Sequence, residues 1–320
     1  MSSLHRPLYV IGRQHSGNTM LATLLGRHPE VYAFTGEGTF FEHRATIEQM
    51  DDPRPRIVEE VADGADPPLG HDMQRQIAEH FPDEQVPSSA VDLYAAAKSV
   101  VATAAGAERW VQKATSYVFH VEDLLAALPT ARLVFLVRNP LDLAASLKRR
   151  GERRRLLRMV WGWNRGVRIV QRWADDRRVL LLRYEDLVQH ADERLRKVCR
   201  FADLRFDEAL LEVPHVNRSE TPYSRGGEEK GLDASRIHYY RDVLTPEEEA
   251  VVRAWTETDR LQSTYPDLPD AREARFGARI AATVRSLGQT LQTLVGDHAS
   301  MLMRDPRHAL DRIRRRIGQT

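Results

Sequence analysis

Short apolar runs alternate with stretches of helical apolar spacing along the first two thirds of the chain. Leu8–Ile11 is a β-prone run that ends at Gly12, and apolar residues at helical spacing follow it as far as Pro29. Residues 132–138 form a second, continuous apolar run of the kind buried on both faces of a parallel sheet, and residues 178–183 form a third. The pattern predicts an α/β fold with a P-loop-like parallel β-sheet flanked by helices, and ligands at the carboxyl ends of the strands.

The turn after the first strand has the spacing of a phosphate-binding loop. Residues 12–19 read GRQHSGNT, so four residues separate Gly12 from Gly17, and a strand precedes the loop while a helix follows it. In such loops successive backbone N–H groups converge on an anion at a helix N-terminus. Asn18 stands where a nucleotide triphosphatase has lysine, although Thr19 fills the Ser/Thr position. The loop therefore predicts an anion less charged than a triphosphate, with an ordinary strand-to-helix turn as the alternative.

A second candidate anion site follows the second strand. Asn139 and Pro140 suit the cap and the first position of a helix. Arg138 precedes them, and Ser146 comes eight residues later, so the two side chains could clamp a phosphate. An isolated arginine at a strand end is more often a structural pair. Two anion sites at adjacent strand ends predict a nucleotide with phosphate at both ends of its ribose.

Composition excludes several classes of protein. The chain has 320 residues, 42% of them hydrophobic, and its 47 Lys+Arg against 46 Asp+Glu give a net charge of +1, which argues against a nucleic-acid partner. Cys199 is the single cysteine, so internal disulfides and multi-cysteine metal sites are excluded, and we expect a half-buried helix thiol. No apolar run reaches the ~18 residues of a membrane helix, and Met1–Val10 does not fit a signal peptide. We expect a cytoplasmic protein.

Charge is unevenly distributed along the chain. Residues 45–95 hold twelve acids and three arginines, a net −9, and read as an acidic insertion that is either solvated or a cap over an acceptor pocket. Such a cap would suit a cationic or amine-bearing acceptor. Residues 269–320 predict a basic amphipathic helical extension that packs on the domain, forms a homodimer or contacts an anionic membrane peripherally. The predicted domains are residues 1–268 and 269–320.

The motifs together resemble the sulfotransferases that use 3′-phosphoadenosine 5′-phosphosulfate (PAPS), especially bacterial and tyrosylprotein-type members. Residues 12–19 are similar to the family's 5′-phosphosulfate loop, and RNPLDLAAS at 138–146 is similar to its 3′-phosphate motif. WVQKAT at 110–115 resembles the Lys-Thr-Pro segment, and RYEDL at 183–187 resembles the usual Tyr-Glu-Asp-Leu strand end. The blocks follow the family order. The resemblance implies an enzyme (EC 2.8.2.-) that moves a sulfuryl group from PAPS to a hydroxyl or amine of a small-molecule, carbohydrate or lipid acceptor, with no metal.

The resemblance also implies roles for individual residues. Lys113 and His15 would neutralise charge on the transferring group, and Glu37 would take the acceptor proton, with His43 and His120 as rival bases. The nucleotide would be bound by the loop, the strand ends and a late loop, through Arg13, Ser16, Gly17, Asn18, Thr19, Arg138, Ser146, Tyr184, Lys230, Gly231, Ser235 and Arg236. The family usually has Arg or Lys at the position of His15, so catalysis would be more sensitive to pH than is usual.

Two other functions compete with this interpretation. A P-loop kinase of a small metabolite would need a lysine where Asn18 stands. A catalytically inactive nucleotide-binding module is favoured by His15, whereas Lys113 and Glu37 argue against it.

Overall fold

The computed structural model describes residues 7–82, 89–151, 156–212, 232–256 and 264–265. The described residues of Met1–Val137 and Arg172–Asp233 form one compact unit, and those of Arg138–Gln171 and Ala234–Thr320 form a second. The predicted extension over residues 269–320 and its boundary lie outside the described residues and stay predictions.

The first unit is built on one parallel sheet of five strands in the order β2-β3-β1-β4-β5. The strands are β1 (Leu8–Ile11), β2 (Val31–Phe34), β3 (Arg109–Lys113), β4 (Arg132–Val137) and β5 (Val179–Arg183). β1 lies between β3 and β4, and Val10 is in register with both Lys113 and Val134. The predicted α/β fold with a parallel sheet flanked by helices is confirmed, and all three strands expected from the apolar runs are present.

Burial explains why these runs form strands. All four residues of β1 are buried, as are five of the six in β4, because helices cover both faces of the central strands. β5 is an edge strand, and its Leu181 is 40% exposed. The interior is rich in aromatic rings, with Tyr9 packed edge-on against Trp110 at 5.4 Å between ring centroids.

Helices and 3₁₀ turns lie between the strands of the first unit and after the last strand. They are α1 (Asn18–Leu25), α2 (Phe40–Ile47), α3 (Arg54–Asp63), α4 (His71–Glu79), α5 (Ala90–Ala104), a 3₁₀ turn (Thr115–Phe119), α6 (Val121–Ala127), α9 (Tyr184–Gln189), α10 (Ala191–Phe201) and a 3₁₀ turn (Glu208–Leu211). The acidic segment over residues 45–95 contains α3, α4 and the start of α5. A capping box between Ser89 and Asp92 begins α5.

The second unit is helical. It contains α7 (Pro140–Arg149), nearly all of α8 (Leu156–Arg172), a 3₁₀ turn (Ala234–Arg236), α11 (Tyr240–Val243) and α12 (Pro246–Trp255). As predicted, Asn139 caps α7, accepting the Leu141 N–H at 2.9 Å, and Pro140 is the first helical residue. Among the helices described, none has the length and apolar character required to cross a membrane.

Candidate active site

The loop between β1 and α1 has a backbone that glycine alone accommodates at two points. Gly17 has φ = 94°, and a Cβ there would lie 2.8 Å from the ring of Tyr184, the first residue of α9. A Cβ on Gly12 would collide with the backbone oxygen of Leu136. The two glycines of the predicted phosphate-binding spacing are therefore required by close packing of the loop on the sheet and on α9.

Polar groups of the loop are arranged for an anion. The Asn18 Nδ2 donates to the carbonyl oxygens of Gly12 (3.2 Å) and Arg13 (3.0 Å) and so ties the loop closed. Ser16 is 1% exposed, and its Oγ has no hydrogen-bond partner among the residues described. Gly17 is the N-cap of α1 and offers no side chain to its first N–H groups. A buried orphan hydroxyl and an uncapped helix N-terminus fit a bound phosphate or sulfate.

His15 has a left-handed backbone with φ = 69°, a conformation that costs a non-glycine residue about 1 kcal/mol. Of the other two loop residues predicted to contact nucleotide, Thr19 is half-buried in the first turn of α1, and the Arg13 guanidinium lies 5.6 Å from the ring centroid of Phe119. Arg13 and His15 lie in the loop and Thr19 lies in the helix that follows it, and their predicted roles stay predictions.

Glu37 and Lys113 meet at the carboxyl ends of β2 and β3. The Lys113 Nζ lies 2.9 Å from the Glu37 Oε2, and the side chains are 13% and 38% exposed, respectively. The other carboxylate oxygen accepts hydrogen bonds from the backbone N–H and the hydroxyl (2.6 Å) of Thr115. Thus two of the predicted catalytic groups form one ion pair, and Thr115 supplies the N–H and the hydroxyl that orient Glu37.

Behind this pair lies a buried polar network that the sequence analysis missed. Gln112 in β3 is fully buried, and its Nε2 lies 2.7 Å from the Lys113 carbonyl and 3.1 Å from the Gly36 carbonyl. Its Oε1 accepts from the Nζ of Lys98, which is also fully buried, at 2.5 Å. Burial lowers the pKa of Lys98 well below its ordinary value. The one available signal was a lysine within the apolar stretch that forms α5.

Both rival histidines have carboxylate neighbours. The Nδ1 of His43 lies 2.6 Å from an oxygen of Glu60, whose other oxygen accepts from the Thr39 hydroxyl at 2.6 Å. Burial by itself would raise the pKa of Glu60, but the hydrogen bonds from His43 and Thr39 and the nearby Arg56 bring it below the ordinary value. His120 is buried, with its Nδ1 3.9 Å from Asp123.

In the second unit two arginines flank one tyrosine ring. Arg138 is 6% exposed and donates from Nη2 to the backbone oxygen of Arg236 at 2.9 Å. The guanidinium carbons of Arg138 and Arg236 lie 5.6 and 5.3 Å from the ring centroid of Tyr239. Two like charges around one ring favour a bound anion, since a phosphate would offset their mutual repulsion. The Tyr239 hydroxyl donates to the Asp142 carbonyl oxygen at 3.0 Å. Burial raises the pKa of Tyr239, and Arg138 and Ser146 oppose the shift.

Asp142 anchors the segment that carries this tyrosine. It is fully buried, and its two carboxylate oxygens accept the N–H groups of His238 (2.9 Å) and Tyr240 (3.0 Å). Burial raises the pKa of Asp142, although Arg138 and the two amides oppose the shift. The aspartate of the RNPLDLAAS motif thus organises residues 238–240. Ser235 is exposed beside Arg236, whereas the predicted contacts Lys230 and Gly231 lie outside the described residues.

Comparison with known proteins decides which family combines these features. A family model described as "Sulfotransferase family" matches residues 7–208, more than half of the chain. The chain belongs to the sulfotransferase family. Sulfotransferases of this kind fall in enzyme class EC 2.8.2.-, as the sequence resemblance implied.

Solved sulfotransferases share the fold. The sulfotransferase domain of the Synechococcus PCC 7002 olefin synthase matches with a TM-score of 0.56 and 21% identity, over 84% of this chain and 98% of that domain. The sulfotransferase domain from the curacin biosynthetic pathway matches with a TM-score of 0.52 and 17% identity, over 84% of this chain and all of that domain. An uncharacterised protein of Aquifex aeolicus (strain VF5) is 24% identical over 75% of this sulfotransferase. The match spans 31% of that curated relative's length.

Proposed function

We propose that this sulfotransferase moves the sulfuryl group of PAPS to a hydroxyl or amine of a small-molecule, carbohydrate or lipid acceptor. The observation that carries the proposal is the Glu37–Lys113 ion pair at the end of β3, the strand next to β1 and its anion-binding loop. A carboxylate able to accept a proton and a cation able to neutralise charge are the two groups that the transfer requires.

The loop of the first unit would hold the 5′ end of the nucleotide. The Ser16 hydroxyl, the Thr19 hydroxyl and the first N–H groups of α1 are the donors, and Asn18 keeps the loop closed around them. In the second unit Arg138, Arg236 and Ser146 would hold the 3′-phosphate. PAPS itself supplies the activated sulfuryl group.

Glu37 would accept the proton of the acceptor, and Lys113 would neutralise charge. The 2.9 Å ion pair links the two roles, since a proton that arrives on the Glu37 carboxylate removes the charge that holds the Lys113 ammonium. Lys113 can then donate to the oxygen of the departing bisphosphate as negative charge develops there. His15 in the loop would add a second donor there.

Asn18 favours this function over a P-loop kinase. Its side chain is 4% exposed and hydrogen-bonds loop carbonyl oxygens, so the position where a kinase presents a lysine to the β- and γ-phosphates carries no cation. The Glu37–Lys113 pair in turn weighs against an inactive nucleotide-binding module.

The test combines binding with transfer. We expect adenosine 3′,5′-bisphosphate to raise the melting temperature, whereas ATP with Mg²⁺ should not. At a ligand concentration of one hundred times Kd, binding adds about 2.7 kcal/mol to the free energy of unfolding. Arg138→Ala should abolish the preference for the bisphosphate over AMP, and Arg75→Ala, an exposed arginine of α4, is the control. Stabilisation by ATP with Mg²⁺ alone would instead identify a kinase.

Labelled PAPS then identifies the acceptor class. The acceptor panel should include phenols, carbohydrates, peptides and amines, and also hydroxylated aliphatic chains, since one structurally similar domain belongs to an olefin synthase. Glu37→Gln should reduce transfer by about 10²-fold or more, the usual effect of removing a general base. If His43→Gln lowers transfer and Glu37→Gln does not, the base is His43.

A further inference from the structure

Three glycines crowd around the buried side chain of Gln112. A Cβ on Gly38 would lie 2.9 Å from the Gln112 Cγ, and one on Gly64 would lie 2.8 Å from its Oε1. A Cβ on Gly36 would meet the Ala65 carbonyl oxygen at 2.5 Å. The backbone on both sides of Glu37 is therefore packed against this glutamine and against the end of α3, with no room for larger residues.

Carbonyl oxygens converge on the amide nitrogen of Gln112. Its Nε2 lies 3.3 Å from the Phe34 oxygen at the end of β2, 3.1 Å from that of Gly36 and 3.4 Å from that of Gly64. It also reaches the oxygen of Lys113 at 2.7 Å. One side chain thus joins β2, the segment after it, the end of α3 and the end of β3.

Four carbonyl oxygens fix which way this amide points, and the amine of Lys98 donates to its oxygen. An amide with its oxygen and nitrogen exchanged would place Oε1 against the four carbonyl oxygens, which are acceptors only. Lys98 has little freedom to move, because its Nζ lies 3.5, 5.0 and 5.4 Å from the ring centroids of Phe34, Tyr94 and Trp110. The rings exclude water, and the amide of Gln112 supplies the acceptor.

We propose that Gln112 is a positioning residue, hydrogen-bonded to the buried amine of Lys98, that holds the Gly36-Glu37-Gly38 segment so that the Glu37 carboxylate meets Lys113 and Thr115. The inference rests on the proposed role of Glu37 as the base. Two glycines give this segment great conformational freedom, so an external brace is needed to keep the carboxylate in place. A displacement of about 1 Å in a reacting group can cost about 10²-fold in rate.

Gln112→Met keeps the length of the side chain and removes its hydrogen bonds. We expect kcat for sulfuryl transfer to fall about 10- to 10²-fold, while Kd for adenosine 3′,5′-bisphosphate changes by less than about twofold, because the loop at residues 12–19 does not use Gln112. Gln74→Met is the matched control. Gln74 lies in α4, and its amide also donates to a carbonyl oxygen, that of Leu69. The control should leave kcat unchanged.

A double substitution separates positioning from general stabilisation of the fold. In the Glu37→Gln background, Gln112→Met should lower the remaining rate by less than about twofold, because both substitutions remove the same carboxylate function. An equal loss in both backgrounds, or full kcat in Gln112→Met, would overturn the proposal. Should Gln112→Met fail to fold, Lys98→Met removes only the amine that donates to the Gln112 oxygen. We expect kcat to fall about 3- to 10-fold in this variant, because the brace on Glu37 is weakened but not removed.

Hydrogen exchange tests the brace without any transfer assay. The Gly38 N–H donates to the Lys113 carbonyl oxygen at 3.0 Å and should exchange faster in Gln112→Met than in the wild type or in Gln74→Met. Unchanged exchange at residues 36–38 would refute the brace. Faster exchange in a protein that transfers sulfuryl to no acceptor would support the brace and refute the proposed function instead.

Discussion

Replacing Lys98 by methionine tests whether a lysine in the core is neutral. Lys98 is fully buried, donates to the amide oxygen of Gln112 and lies among three aromatic rings. The rings favour a desolvated ammonium by about 2 kcal/mol or more, whereas burying an ion costs of order 20 kcal/mol before relaxation and several kcal/mol after it. Burial is the larger effect, and it lowers the pKa of Lys98 well below its ordinary value of 10.5.

The sign of the effect follows from proton linkage. Between the lowered pKa of Lys98 in the folded protein and its pKa in the unfolded chain, only the unfolded chain binds the proton. Unfolding is then coupled to proton uptake, and stability rises with pH by about 1.4 kcal/mol per unit up to the unfolded pKa. Within that range, each pH unit below the unfolded pKa adds about 1.4 kcal/mol to the cost of keeping the folded lysine neutral. The hydrogen bond to Gln112, together with the orphan amide oxygen that methionine would leave, offsets about 2 to 3 kcal/mol of this.

We therefore expect the stability of Lys98→Met relative to the wild type to fall as the pH rises towards 10, by up to about 1.4 kcal/mol per unit, and the variant to be the less stable protein near pH 10. Urea unfolding of both proteins at pH 7, 8, 9 and 10 measures the difference, and titrations common to both cancel. A difference in unfolding free energy that does not change with pH would refute the neutral amine. It would show that the aromatic rings hold a charged ammonium.

Three further predictions concern other parts of the molecule. His15→Gly should stabilise the fold by about 1 kcal/mol in thermal unfolding by relieving its left-handed backbone, and should also slow sulfuryl transfer; an unchanged rate would exclude the imidazole. Burial raises the pKa of Cys199 to about 11, so the native protein at pH 8 should resist maleimide, and rapid labelling seen by mass spectrometry would contradict this burial. Asp142→Asn should cost about 1 to 3 kcal/mol in urea unfolding, because it weakens the anchoring of His238 and Tyr240.

The parts of the candidate site that the sequence predicts are continuous along the chain. The loop at residues 12–19 and the proposed clamp from Arg138 to Ser146 each lie on one strand-to-helix turn, so spacing along the chain is enough to propose them. Gln112 lies in a strand and Lys98 in a helix, and the two residues are 14 positions apart in the sequence. Glutamine and lysine are usually exposed, so neither residue type predicts a buried pair. Only the tertiary packing of α5 on β3 brings them together.

The position of Glu37 is determined by tertiary contacts and not by the local sequence. The glycines that flank Glu37 fix no conformation of their own. What places the carboxylate is the surrounding protein: Thr115 and Lys113 hold its two oxygens, and Gln112 is bonded to the backbone beside it. Gly38 has no room for a Cβ because Gln112 packs against it, and Gly36 has none because backbone atoms at the end of α3 lie there. The second glycine of Gly-Glu-Gly is therefore a consequence of how closely Gln112 packs, and a larger residue at Gly38 should displace the carboxylate as effectively as removal of Gln112 itself.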